Sequence, residues 1–304
     1  MLSSLIFHLV LIFLAAPFLS GIIARTKAII AGRRGQPLLQ LYFDIWKLFR
    51  KGMVLSSTVT WIFRAGPVVG LAVPILAAML LPFGPMDAPI SFTGDMIFFV
   101  YLLALARFFT VLAALDTGSS FEGMGAAREV TFAVLVEPTI FVSFIVLARI
   151  AQDFSLNTMF GRFTPAAQIH PTAAISLALI GFCLFIVLLA ENSRIPFDDP
   201  NTHLELTMIH EVMVLDHSGP DLGLILYGGA MKLLLFAVLV VDLILPATGN
   251  ILLDTIIFLC GLVVTALCIG LVESAMARLR LVKVPQLLIG TTLLSFFALI
   301  LLLR

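Results

Sequence analysis

TAAISLALIGFCLFIVLLA (172–190) runs for 19 residues without a charge, and ENSRIPFDDPNTHLELTMIHE (191–211) follows it at once. As a helix the first stretch is long enough to cross the roughly 30 Å of hydrocarbon in a bilayer. The second is broken by Pro196 and Pro200 and is rich in acids and histidines. Between Glu191 and Asp221 lie seven of the 18 acids and three of the five histidines, but a single basic residue, Arg194. A membrane-crossing element therefore opens directly into an acidic, histidine-bearing loop.

The same apolar grammar recurs along the chain. Spans are expected at about 4–24, 64–82, 94–116, 130–151, 172–190, 222–246, 252–274 and 284–303. A mean hydropathy of +1.14 over 304 residues, with 26 Phe against 3 Tyr and 2 Trp, leaves no room for a separate soluble domain. The expected fold is an all-α integral membrane protein, a single domain (1–304) of about eight transmembrane helices. Cytoplasmic loops are expected at about 25–63, 117–129, 191–221 and 275–283. The first span lacks a basic leader and a small-residue cleavage site, so it reads as a retained helix. Cys183, Cys260 and Cys268 show no metal-ligand spacing, which predicts plain core cysteines and no redox centre in this chain. With 18 basic and 18 acidic residues the formal charge is zero, and no basic excess points to nucleic acid.

Basic residues orient the bundle. One side carries Arg25, Lys27, Arg33, Arg34, Lys47, Arg50, Lys51, Arg64, Arg128, Arg194, Arg278, Arg280 and Lys283; the other carries Arg149, Arg162 and Arg304. The bias of 13 to 3 places the acidic loop in the cytoplasm and both termini outside. On the cytoplasmic side QPLLQLYFDIWKLFRKG (36–52) sets Leu38, Leu41, Ile45, Leu48 and Phe49 at helical spacing, with Asp44, Lys47, Arg50 and Lys51 on the polar side. It reads as an amphipathic helix lying in the interface against lipid. Arg33 and Arg34 before it are topology determinants and candidate docking residues.

Charges inside apolar spans are expensive and so are functional candidates. They are Arg107 and Asp116 in span 3, Glu129 and Glu137 in span 4, Lys232 and Asp242 in span 6, and Glu273 in span 7. Glu129 and Glu137 are eight residues apart, about 12 Å along a helix and about 80° around it, compatible with one inward polar track. Asp242, near the outer end, reads as a packing residue. Glu137 sits in TFAVLVEPTIF (131–141) with no charge beside it, and Pro138 frees a carbonyl to hold water, as suits a proton relay. In the acidic loop a helix from Asn201 to about Asp216 is expected. His203, His210 and His217 recur every seven residues, about 10 Å apart, too far for one metal ion. Interleaved Leu204, Leu206, Met208, Ile209, Val212 and Met213 suit a half-buried, water-containing funnel better than an acidic surface.

RRGQPLLQLYFDIWKLF (33–49), ARFFTVLAALDTGSSFEGMGAAREVTFAVLVEP (106–138), ENSRIPFD (191–198) and VESAMARLRL (272–281) carry a resemblance that covers nearly the whole chain. It resembles the H-type membrane subunit of respiratory complex I and its counterpart in group 4 membrane-bound nickel–iron hydrogenases, the formate hydrogenlyase subunit 4 type. The resemblance implies an eight-helix bundle that anchors hydrophilic redox subunits and joins them to antiporter-like membrane subunits. Iron–sulfur clusters, and nickel–iron in a hydrogenase, would reside in those partners. It also implies that Glu129 and Glu137 are the buried acids of span 4, that Asp198 and Glu205 are loop acids, and that Arg194 is the loop's basic residue. Asn201 and His203 stand where the family commonly has glutamates, and the part after Glu205 is a few residues longer. The expected proton pathway is Asp116, Glu129, Glu137, Glu191, Asp198, Asp199, Glu205, Glu211, Lys232 and Glu273, with Glu205 the loop acid of greatest effect. The expected docking contacts for the redox arm are Arg33, Arg34, Arg128 and Arg194. A quinone chamber, a stand-alone ion transporter and a bare structural anchor are the competing readings.

Overall fold

The computed structural model describes residues 2–160, 171–198, 208–245 and 248–303. Among these, eight helices are long and apolar enough to span a bilayer: α1 (Leu2–Ile30), α3 (Trp61–Ala78), α4 (Asp95–Asp116), α5 (Ser120–Ala151), α7 (Pro171–Glu191), α9 (Gly219–Ile244), α10 (Ile251–Ala275) and α11 (Lys283–Leu303). The chain is a multi-pass membrane protein. Three short helices accompany the spans: α2 (Gln40–Phe49), α6 (Leu156–Phe160) and α8 (His210–Met213).

The first and fourth spans exceed the expected limits for the same reason: polar residues near a helix end lower the local hydropathy without breaking the helix. α1 continues past residue 24 through Arg25 and Lys27, because Lys27 finds Glu273 of α10 at 2.8 Å. α5 starts at Ser120 instead of about 130. Its early turns are polar and small, and Gly125 lets the α8 segment approach so closely that a Cβ there would lie 2.8 Å from the Ile209 carbonyl. Glu129 thereby sits inside the helix, nine residues or about two and a half turns past its first residue, whereas a helix beginning near 130 would leave it outside.

Helix α9 is the axis of the bundle, packed against α1, α2, α3, α7 and α10. Its segment Leu233–Val241 is wholly apolar and wholly buried. It meets α3 at a glycine crossing: a Cβ on Gly228 would fall 2.4 Å from the carbonyl oxygen of Gly70. Small residues let two membrane helices come together this closely, where dispersion and Cα–H contacts replace the hydrophobic drive lost in lipid. α2 lies where the sequence puts it. Ile45 is buried, while Phe43 and Trp46 are exposed and the Arg50 guanidinium stands 4.5 Å over the Trp46 ring. Two expectations fail. Cys183 is buried, but Cys260 and Cys268 are exposed on α10, a helix that turns most of its apolar surface outward. And of the helix expected over 201–216, residues 201–207 lie outside the described residues, while over 208–216 only α8 is helical, its start set by Asp198, which accepts the amide hydrogens of Ile209 and His210 at 3.0 and 3.2 Å.

Between α8 and α9, His217 is buried and stacks on Phe63 at 3.9 Å between ring centroids. Burial holds its pKa down, at about 4. The folded state thus favours the neutral ring, so this contribution to stability is complete above the ordinary value of 6.5. It is lost as pH falls from there towards 4, at a limiting slope of about 1.4 kcal/mol per pH unit. His217→Phe should flatten the fall in melting temperature of the solubilised protein over that window. A variant as acid-sensitive as the parent would exclude His217 as the cause.

Candidate functional site

Four spans contribute to one charged cluster. Arg107 of α4 is its hub. Its Nη1 donates to Glu137 Oε1 at 2.8 Å, its Nε lies 3.5 Å from Glu129 Oε1, and its Nη2 bonds Glu191 Oε1. Glu191, at the end of α7, is also held by Lys232 of α9, whose Nζ lies 2.7 Å from Oε2 and donates to the Glu191 carbonyl oxygen at 2.7 Å. A guanidinium has five donors in a rigid fork, which suits it to tie three carboxylates together. Three acids against two bases leave the cluster one negative charge in excess, which a single proton neutralises. Glu191 is almost fully buried, but Glu137 keeps 36% of its side chain exposed on the outer surface of α5.

Glu137 therefore does not have the charge-free surroundings that its neighbours in sequence suggested. Arg107 comes from another helix and cannot be seen along 131–141. Arg107 was named among the charges inside the spans but left out of the expected pathway, although an arginine within span 3 was signal enough to place it there. Asp116 is not part of the cluster: nine residues on an α-helix turn it to the face opposite Arg107. It accepts hydrogen bonds from Thr60 N at 2.6 Å and Thr60 Oγ1 at 2.9 Å, fixing the start of α3. Asp242, as expected, lies apart and accepts the Gly84 amide at 3.2 Å.

A second group sits nearby. Glu273 of α10 is buried and pairs with Lys27 at 2.8 Å and Arg194 at 3.4 Å. Asp198 pairs with Arg278 at 2.6 Å besides capping α8. Lys27 and Arg278 entered the sequence reading only as orienting charges, yet each has an acid as its partner. The docking arginines divide. Arg33 and Arg34 are exposed, whereas Arg194 turns inward to Glu273 and Arg128 donates to the Met208 carbonyl at 2.9 Å and to Met124 Sδ. Asp199 and Glu205, with Asn201 and His203, lie outside the described residues. Glu211 lines the large cavity described next.

Three cavities surround the cluster. One of about 320 Å³ extends from Gln36 and Pro37, past Lys27, Arg194, Glu211 and Glu273, to Glu191 and Lys232. One of about 80 Å³ lies between α3, α4 and α9 beside Arg107 and Glu129. A third, of about 20 Å³, touches Arg107, Glu129, Glu191 and Asp198. Water needs about 10–15 Å³ and two to four polar partners, so the smallest suits one molecule. Carboxylates, amines and an imidazole around such spaces can pass protons.

Comparison with known proteins identifies the family. The NADH dehydrogenase family profile matches residues 2–303. The chain is 34% identical over 284 residues to formate hydrogenlyase subunit 4 of Escherichia coli (strain K12), covering 90% of each. It is 35% identical over 278 residues to hydrogenase-4 component C of the same organism, covering 89% of this chain and 86% of the relative. The fold also superposes on a chain of the membrane-bound sulfane sulfur reductase, an archaeal respiratory membrane complex, with a TM-score of 0.82, 21% identity and 99% of both chains covered. A profile matched end to end, two relatives above 30% identity and a shared eight-span bundle lead to one conclusion: this chain belongs to the NADH dehydrogenase family, the complex I H-type membrane subunits, and is the membrane subunit of a complex I-like, group 4 hydrogenase-like complex.

Proposed function

We propose that this subunit anchors the hydrophilic redox arm of its complex and passes protons from that junction to neighbouring antiporter-like membrane subunits. The observation that carries the proposal is the Arg107 cluster, which begins at the large cavity and ends at Glu137 on the flank of α5. A carboxylate exposed to hydrocarbon at that depth is costly, so an adjoining membrane subunit that covers Glu137 is the natural recipient. Protons enter at the cavity, exchange among Glu191, Glu129 and Glu137 as Arg107 redistributes its donors, and leave sideways. Electrons travel through iron–sulfur clusters, and nickel–iron in a hydrogenase, of the partner subunits; this chain supplies no redox group. Lys27, Asp44, Glu191, Arg194, Lys232 and Glu273 give water polar partners along the cavity, whose remaining lining is mostly aliphatic. The 13-to-3 charge bias supports an orientation with both termini outside, and the bacterial relatives support a prokaryotic inner membrane.

Glu137→Gln keeps shape and one acceptor but cannot ionise, so the complex should assemble while ion movement per electron falls. Inverted vesicles carrying the variant test this directly. A gradient per electron equal to the parent's would remove Glu137 from the pathway. Arg33→Gln with Arg34→Gln should loosen the redox arm as salt rises, since exposed charge contacts are screened within about 8–10 Å at physiological ionic strength. Unchanged co-purification across a salt series would reduce them to topology signals.

A further inference from the structure

Four glycines line the 80 Å³ chamber, and they fall into two kinds. Gly66 and Gly228 are demanded by packing: a Cβ would come within 2.9 Å of Ala113 Cβ and 2.4 Å of the Gly70 oxygen respectively. Gly70 and Gly229 are not, because a Cβ on either would meet nothing within 4 Å. Helix packing leaves that second pair unexplained, and in a helix interior glycine is less favourable than alanine. What the missing side chains preserve is open space beside charged groups.

That space has connections. His210, Gly229 and Lys232 form a wall common to the chamber and the 320 Å³ cavity, while Arg107 and Glu129 line its far end. Pro74 lacks the amide hydrogen that would bond the Gly70 carbonyl one turn earlier, so α3 presents a freed acceptor there. At 10–15 Å³ each, about five waters fit, with Arg107, Thr110, Glu129, His210 and Lys232 as polar partners.

We infer that this chamber is a water passage, kept open by Gly70 and Gly229, through which protons move from His210 at the large cavity to Glu129 in the cluster. The inference rests on the proton-transfer reading above and names the route within it. His210 suits the entrance because an imidazole accepts a proton on one ring nitrogen and releases one from the other. Glu129 suits the exit because it lines the chamber and its contact with Arg107, at 3.5 Å, is the longest of the three.

The test fills the space without moving a helix. Gly229→Val, Gly229→Ala and the pair Gly70→Ala/Gly229→Ala are made in the intact complex, with Gly290→Val on exposed α11 as control. Inverted vesicles are supplied with the electron donor of the intact complex, and dye-monitored acidification is read per electron transferred. Gly229→Val should more than halve that ratio, Gly229→Ala should lower it less, and Gly290→Val should leave it unchanged. If Gly229→Val does not assemble, the double alanine variant carries the same expectation. Undiminished acidification in an assembled, filled variant overturns the inference. Glu129→Gln and Glu137→Gln run alongside: if they lower acidification and the glycine variants do not, only the chamber is wrong, and if none does, the proton-transfer reading fails with it.

Discussion

Arg107→Gln is expected to have the largest effect of any single substitution in this chain. It removes the one donor shared by Glu129, Glu137 and Glu191 and leaves Lys232 alone against three carboxylates. Breaking a buried ion pair from one side costs about 3–5 kcal/mol, because the remaining charge keeps its burial and loses its compensation. The solubilised complex should melt well below the parent, and ion movement should be abolished in whatever assembles. Arg107→Lys keeps the charge but not the fork, so it should recover part of the stability and little of the coupling. A melting temperature unchanged by Arg107→Gln would show that the cluster is already neutralised by protons and that the arginine is not its hub.

The second large effect is expected at the α3–α9 crossing. Gly228→Val places a Cβ 2.4 Å from the Gly70 oxygen and 2.9 Å from its carbonyl carbon, and both are backbone atoms that cannot swing aside. Overpacking of this kind costs about 1–3 kcal/mol or forces the helices apart. Parting them would also separate Lys232 from Glu191, so coupling should fall together with stability. Gly229→Ala, one residue along, meets no atom and should melt like the parent. The contrast is read by thermal unfolding of the two variants side by side. Equal melting temperatures would mean that α9 shifts freely against α3 and that the crossing does not set their separation.

The fold was legible because bilayer crossing needs only length and apolarity, which are local and additive properties. All eight spans, and the α2 helix, follow from that. The ends of α1 and α5 were misplaced because residues such as Lys27 and Glu129 are tolerated there by partners on other helices, which no window along one helix can register. The site was legible in part for the same reason. Buried charges announce themselves one at a time, so Glu129, Glu137, Glu191, Lys232 and Glu273 could be named. Their pairing depends on which faces meet. That is why Glu137 looked isolated, why Asp116 was drawn into the wrong group, and why Arg107 was undervalued. The glycine-walled chamber had no sequence signal at all, since Gly70 and Gly229 read like any other small residues in a membrane helix.

The uninterrupted apolar run of α9 between Lys232 and Asp242 has an electrical meaning. Ten residues of helix span about 15 Å, and the nine side chains between them are apolar and buried. Such a layer behaves as the dielectric of a capacitor, and the membrane voltage falls mainly across it. On the proposed orientation the Arg107 cluster then lies close to the potential of the cytoplasm. Loading a proton onto Glu129 would be nearly free of the roughly 2.3 kcal/mol per 100 mV that a full crossing demands. On the proton route proposed above, the work against the voltage would fall to the neighbouring subunit beyond Glu137, and this chain would respond to the redox arm at any state of membrane energisation.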